Sequence, residues 1–179
     1  MRARMTAFLL LPKWIIATVR RQREEHLPSE TGGFLIGERR GPHIQVTGLT
    51  HQGRGDIATR TSFERSCPSH RDAIHHAWRL SDGMQSLVGD WHSHPCGSAD
   101  ASSTDMSAWR TLARTSRRPI IGLIDAGGLP KIYFAAENYR PFATSLEVEE
   151  ETIDDYAYVI PRARSANALT RLAPLAFVR

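Results

Sequence analysis

The chain has 179 residues, of which 41% are hydrophobic and 23% are charged, a size and composition typical of one globular domain with its own core. The formal net charge is +4, but the arginines that carry most of it are scattered, which does not favour a nucleic-acid partner. No apolar stretch approaches the roughly 18 residues that span a membrane, and the apolar run near the N-terminus lacks a clear cleavage site. Two cysteines, Cys67 and Cys96, are too few for a disulfide framework and predict a cytoplasmic protein.

The first half of the chain alternates strands and helices. Apolar periodicity and turn residues predict six elements: a strand at 6–11, a helix at 12–25, a hairpin of strands at 30–39 and 43–48, a strand at 61–65 and a helix at 67–81. Ser66 is the expected N-cap of the second helix. Residues 49–60 show no clear pattern and predict a polar loop.

The second half begins with an apolar strand at 87–94 and a helix from Ser102 to about residue 116. A hairpin at 119–124 and 129–135 follows, and residues 140–149 are a candidate strand. Together these elements predict an α/β (α+β) fold, a mixed sheet flanked by helices. We expect one domain over residues 1–150, and a C-terminal tail over 151–179 with a candidate docking segment at 172–178.

Two histidines mark the end of the strand at 87–94. Side chains at i and i+2 of a strand point the same way, so His92 and His94 are expected to converge, and Pro95 then ends the strand. Asp105 follows at a predicted helix start. Two imidazoles and a carboxylate are a suitable set of three ligands for Zn²⁺, with a fourth position open for water as in catalytic zinc sites.

A competing interpretation concerns the helix start itself. Ser102 and Asp105 have the spacing of a helix cap, in which the serine hydroxyl and the acidic side chain bind each other's backbone amides. A hydrolytic zinc site also needs a general base that is not a metal ligand. Glu30 is the best candidate, because it begins a strand whose glycines allow close approach of other backbone. Glu24, Glu25 and Glu38 are alternatives.

These elements together resemble a known signature. Glu30 before Gly32-Gly33-Phe34-Leu35-Ile36-Gly37, then His92-Ser93-His94-Pro95 and Ser102-Ser103-Thr104-Asp105, is similar to the JAMM motif of MPN-domain zinc metallopeptidases, in particular the small prokaryotic JAB domains. The resemblance covers about residues 5–136 and implies the JAB/MPN fold, which is cytidine-deaminase-like.

The resemblance implies a role for each motif residue. His92, His94 and Asp105 would bind Zn²⁺, Glu30 would act as the general base, and Ser102 would stabilise the oxyanion of the tetrahedral intermediate. Family members hydrolyse isopeptide or peptide bonds after the C-terminal tail of ubiquitin-like or sulfur-carrier proteins. The implied settings include antiphage systems that conjugate a nucleotidyltransferase, and the implied partner is a ubiquitin-like protein or its conjugate.

Two other functions stay open at this point. A non-catalytic MPN scaffold usually lacks some of the motif residues, all of which are present here. A relative of the DNA-associated RadC group would typically have asparagine where this chain has Ser93. Cys96, two residues after His94, is also a residue that could reach the metal, whereas Trp91 and Trp109 are expected in the core and Cys67 as a buried apolar filler.

Overall fold

A computed structural model describes residues 7–136, 148–151 and 155–160 of the chain, with side chains described for 7–136, 155 and 156. In chain order the elements are β1 (Ala7–Pro12), α1 (Lys13–His26), β2 (Gly32–Arg40), β3 (His43–Leu49), β4 (Ile57–Ala58), β5 (Phe63–Glu64), α2 (Ser69–Leu80), β6 (Gln85–Ser93), α3 (Ser103–Ser116), β7 (Ile120–Asp125), β8 (Lys131–Ala135), β9 (Val148–Glu151) and β10 (Asp155–Ile160).

Eight of the strands form one mixed sheet in the order β8-β7-β6-β2-β3-β1-β10-β9, and β4 pairs with β5 in a separate hairpin. The neighbours β6 and β7 are parallel, as are β1 and β3, and the other pairs in the sheet are antiparallel. The predicted fold class, a mixed sheet flanked by helices, is therefore confirmed. The two predicted hairpins, β2 with β3 and β7 with β8, are also present.

Two helices pack on opposite faces of the sheet. Ile15 and Val19 of α1 join the core cluster that contains Ile121 and Leu123 of β7. Trp109 of α3 joins a second cluster, built on the residues of β7 that alternate with those. Burying a side chain of this size contributes about 1.5–3 kcal/mol, so the alternation along β7 fixes which helix covers which face.

Three local predictions need correction. Ser66 does not cap α2, because Pro68 precedes the helix and no side chain caps it. Cys67 is half-buried, and its Sγ lies 3.0 Å from Ser69 Oγ instead of in an apolar setting. The loop predicted over 49–60 contains β4, which pairs with β5.

The C-terminal part of the sheet crosses the expected domain boundary. Strand β10 pairs with β1 along its whole length, from Ala7 opposite Ile160 to Pro12 opposite Asp155. The sheet therefore continues past residue 150, where the sequence predicts a tail. Within that tail, 161–179 and the candidate docking segment at 172–178 lie outside the described residues.

Candidate metal centre

The end of β6 and the start of α3 bring the three predicted ligands together. His92 Nε2, His94 and Asp105 offer ligand atoms that all lie within 4.8 Å of one another. His92 Nε2 is 3.3 Å from Asp105 Oδ1, and His94 Nε2 is 3.9 Å from Asp105 Oδ2. Among the described residues, these three form the one cluster of this kind, and Cys96 is exposed and outside it.

The donor set fits a zinc ion. His92 is 4% exposed, and its Nε2 is buried without a hydrogen-bond partner. A buried polar atom in this condition is costly unless something binds it. His94 Nδ1 lies 2.8 Å from the carbonyl oxygen of Ser98, so Nδ1 carries the proton and Nε2 is left free to accept a metal. Two imidazole nitrogens and one carboxylate leave the fourth tetrahedral position for water or substrate.

Asp105 serves the helix cap and the cluster at once. Its Oδ2 accepts hydrogen bonds from the backbone N–H and the hydroxyl of Ser102, each at 2.7 Å, while Ser102 Oγ accepts from the Asp105 N–H. Its Oδ1 faces His92. Burial raises the pKa of the Asp105 carboxyl, but the contacts with His92 and Ser102 outweigh burial and hold it well below its usual range.

Glu30 lies on the same face of the sheet as the histidines. Gly32 pairs with His92, and the Ser93 N–H donates to the Thr31 carbonyl at 2.8 Å, so the same register carries Glu30 across from His94. Glu30 is 8% exposed. Burial raises the pKa of its carboxyl, against the lowering effect of His92 and His94. A buried carboxyl with a raised pKa beside the three candidate metal ligands has the properties of a general base.

The alternative bases lie elsewhere. Glu25 is exposed on α1 and accepts from Gln22, and Glu38 pairs with Arg40 at the other end of β2. Glu24 is exposed on α1. The pKa of the Glu30 carboxyl responds to His92, His94 and Asp105, so Glu30 is the candidate base that lies beside the cluster.

The sequence interpretation missed a buried ion pair beneath the histidines. Asp90 accepts a hydrogen bond from Trp109 Nε1 and lies 3.3 Å from Arg65 Nη2. Arg65 also donates to the carbonyl oxygens of Gly33 and Trp91. Asp90 thus joins α3 and the segment after β5 to the strand that carries the ligands. Because side chains alternate along a strand, Asp90 lies on the same face of β6 as His92. This alternation is the sequence signal that could have identified Asp90.

Comparison with known proteins identifies the family of this chain. A family model described as prokaryotic homologs of the JAB domain matches residues 12–139, which include all five motif residues. The chain belongs to this family. The resemblance to JAMM proteins that the motifs indicated is therefore confirmed for this JAB domain.

Named relatives of the JAB domain point to hydrolysis. A CD-NTase/cGAS isopeptidase from Escherichia coli is 32% identical over 62% of this chain and 70% of the relative. A second one, from Vibrio cholerae, is 39% identical over 48% of this chain and 54% of the relative. A probable metalloprotease from Sinorhizobium fredii is 27% identical over 78% of this chain and 84% of the relative. With the family match, these relatives make the protein a JAMM-type hydrolase.

A solved structure supports the architecture of this JAB domain. The solution structure of a Desulfitobacterium hafniense protein superposes with a TM-score of 0.56, over 83% of this chain and 96% of that one. At 20% sequence identity, this likeness concerns the fold alone. No helix in the described part of the chain is both long and apolar enough to cross a membrane.

Proposed function

We propose that this JAB domain is a zinc-dependent isopeptidase that releases a protein from the C-terminal tail of a ubiquitin-like partner. The observation that carries the proposal is the cluster of His92, His94 and Asp105, with Glu30 on the same face of the sheet. The relatives named CD-NTase/cGAS isopeptidase support a lysine-linked nucleotidyltransferase as the substrate. We place this deconjugation in a cytoplasmic antiphage system.

The protein residues divide the chemistry between them. His92, His94 and Asp105 would hold the zinc ion, which would act as a Lewis acid and lower the pKa of water. Glu30 would take a proton from the attacking water, which its raised pKa favours, and would return it to the leaving amine. Ser102 donates to the oxyanion on the substrate carbonyl, for which its hydroxyl turns away from Asp105 Oδ2.

We expect an extended tail of small residues to bind across the face around the candidate metal ligands. The ring of Phe63 covers Gly32, since a Cβ added at Gly32 would lie 2.7 Å from the ring. On the other side, His94 and Ser98 tie the loop at 96–101 to the end of β6. A tail lying between these walls would be held by main-chain hydrogen bonds, which are largely independent of its sequence.

The test is cleavage of two matched substrates by the zinc-loaded protein. One is a CD-NTase joined through a lysine amide to the C-terminal glycine of its ubiquitin-like partner, and the other is a sulfur-carrier protein with a short C-terminal extension. We expect release of free CD-NTase on a denaturing gel, inhibition by a chelator and recovery with Zn²⁺.

Each other outcome has a defined meaning. Cleavage of the extended sulfur carrier alone would keep the peptidase and replace deconjugation by precursor processing. If protein with one bound zinc cleaved neither substrate, the isopeptidase proposal would be wrong, and a non-catalytic scaffold would become the better account.

A further inference from the structure

We propose that Arg23 of α1 is a positioning residue for the metal ligand His94. Its guanidinium holds the main chain just beyond the end of β6 and so keeps the imidazole of His94 directed at His92 and Asp105. The inference rests on the proposed metal-dependent function, and it adds a residue from a different face of the sheet.

Beyond His94 the main chain leaves the sheet ladder. Strand β6 ends at Ser93, and the His94 N–H donates to the carbonyl oxygen of Asp125 at 2.8 Å. The carbonyl oxygens of His94 and Pro95 instead accept from Arg23 Nε and Nη2, each at 2.9 Å. A planar guanidinium can bind two neighbouring carbonyls in one fixed geometry, which a lysine cannot do.

The surroundings of Arg23 hold its side chain in place. Arg23 follows the buried Val19 by one helical turn on α1. The buried carboxylate of Asp125 interacts with its charge. Gly127 makes room for it, since a Cβ there would lie 2.9 Å from Arg23 Nη1, and the positive φ of 89° at Gly127 also favours glycine. A half-buried guanidinium with these contacts loses little further freedom when it binds the loop.

These contacts leave Nε2 as the free polar atom of His94 that faces the cluster. Its N–H, its C=O and its Nδ1 each have a partner, in Asp125, Arg23 and Ser98 respectively. Fixing the backbone on both sides of a ligand reduces the conformational freedom that metal binding would otherwise remove.

Charge and position predict opposite effects when Arg23 is removed. An arginine near a cation site repels the cation, so a purely electrostatic role predicts tighter zinc binding after Arg23→Gln. A positioning role predicts weaker binding, because His94 loses the constraint on its main chain. The sign of the change therefore separates the two roles.

The experiment measures zinc affinity by competition with a chromophoric chelator, and the visible spectrum of the cobalt-substituted protein. We expect Arg23→Gln to weaken zinc binding by about 10- to 100-fold, the usual effect of removing a residue that orients a ligand, and to alter the cobalt spectrum. Arg23→Lys keeps the positive charge but lacks the planar guanidinium that binds two carbonyls. This variant should bind zinc less tightly than wild type and more tightly than Arg23→Gln.

Two neighbours on α1 supply matched controls. Arg21 is exposed and pairs with Glu25, so Arg21→Gln should leave zinc affinity unchanged. Arg20 donates to the Gly128 carbonyl at 3.0 Å and lies 3.9 Å from Asp125, so Arg20→Gln loosens α1 without releasing His94. In urea titrations, the zinc-free forms of Arg20→Gln and Arg23→Gln should both have a lower free energy of unfolding than the wild type. The zinc affinity of Arg20→Gln should nevertheless stay within about twofold of the wild type.

The proposal is overturned if Arg23→Gln binds zinc as tightly as Arg21→Gln or more tightly. Should zinc-free Arg23→Gln fail to fold, Arg23→Lys decides, and a wild-type affinity and spectrum in that variant would overturn the proposal. A wild-type protein that binds no zinc would contradict the proposed function instead, so the two failures are distinct.

Discussion

At the scale of single residues, Asp105 reconciles two interpretations of one motif. The spacing of Ser102 and Asp105 is typical of a helix cap, and it also matches a metallopeptidase signature. The two oxygens of the carboxylate divide these tasks, since Oδ2 accepts both bonds from Ser102 and Oδ1 faces His92. The helix cap therefore helps to hold the carboxylate at the cluster.

Replacing Ser102 with alanine separates its role in the helix cap from its proposed role in stabilising the oxyanion. Ser102→Ala should cost about 0.5–2 kcal/mol of the zinc-free protein's unfolding free energy through loss of the cap. If Ser102 also stabilises the oxyanion, kcat should fall by about 10²- to 10³-fold. Ser103→Ala, the same change one position along α3, is the control. Equal kcat values for the two variants would exclude the oxyanion role, and urea titration measures the cap independently.

The candidate ligands and the candidate base each carry a local signal in the sequence. His92 and His94 share a strand face, and Glu30 precedes a run of glycines at the start of the adjacent strand. Arg23 and Arg65 carry no such signal. Arg23 lies near the end of a predicted helix and Arg65 at the end of a predicted strand, and their partners are backbone carbonyls far along the chain. Contacts of this kind depend on tertiary packing, which periodicity does not encode.

At the scale of elements, a buried chain of hydrogen bonds ties α2 to the sheet. The Phe34 N–H donates to Thr50 Oγ1 at 2.8 Å, and Thr50 Oγ1 lies 2.6 Å from His70 Nδ1. His70 Nε2 then lies 2.8 Å from Asp56 Oδ2. With a neutral His70 that donates from Nε2, every bond in the chain has one donor and one acceptor. His70 is the buried residue of α2.

Asp56 accepts the last hydrogen bond in this series, and its ionisation should make the stability of the protein depend on pH. Burial raises the pKa of its carboxyl, but hydrogen bonds from the Cys67 and Gly53 amides and from His70 produce a net lowering. A carboxyl whose pKa is lower in the folded state than in the unfolded state stabilises the protein at pH values above its unfolded pKa of about 4. This contribution is lost as the pH falls below the unfolded pKa and through the folded pKa.

The variant Asp56→Asn tests this assignment. An amide presents a donor to at least one of the groups that donate to Asp56, so we expect a loss of about 1–3 kcal/mol in unfolding free energy at pH 7. The loss should shrink towards pH 3, because Asp56 of the unfolded wild-type chain takes up a proton at a higher pH than Asp56 of the folded protein, whose pKa is lowered. Asp72→Asn, an exposed change on α2, is the control. A constant difference between pH 7 and pH 3 would remove Asp56 from this role.

At the scale of the whole molecule, the last described strand completes the sheet. Strand β1 carries the buried Leu9 and Leu11, yet it pairs with β3 at two positions only, Leu9 with Ile44 and Leu10 with Gln45. Its other edge is covered by β10 over six residues. Segments of weak sequence pattern joined to the sheet by backbone pairing are hard to predict, because the register depends on the partner strand.

Truncation measures what β10 contributes. A chain that ends at residue 150 leaves one edge of β1 unpaired, and exposed strand edges promote aggregation. We expect this chain to unfold at a lower temperature than one that ends at residue 160 and to aggregate more readily. Equal melting temperatures and solubility would instead support the domain boundary at 150 that the sequence predicts. Circular dichroism and size-exclusion chromatography provide both readouts.

In the proposed mechanism, Glu30 acts on water at a metal held by His92, His94 and Asp105. The most direct test is zinc content and isopeptide cleavage measured on the same preparation of Glu30→Gln, beside Glu38→Gln, which changes a glutamate at the far end of β2. We predict about one zinc per chain in both variants, as in wild type. Turnover should fall by at least about 10²- to 10⁴-fold in Glu30→Gln alone. Wild-type turnover in zinc-loaded Glu30→Gln would contradict the account.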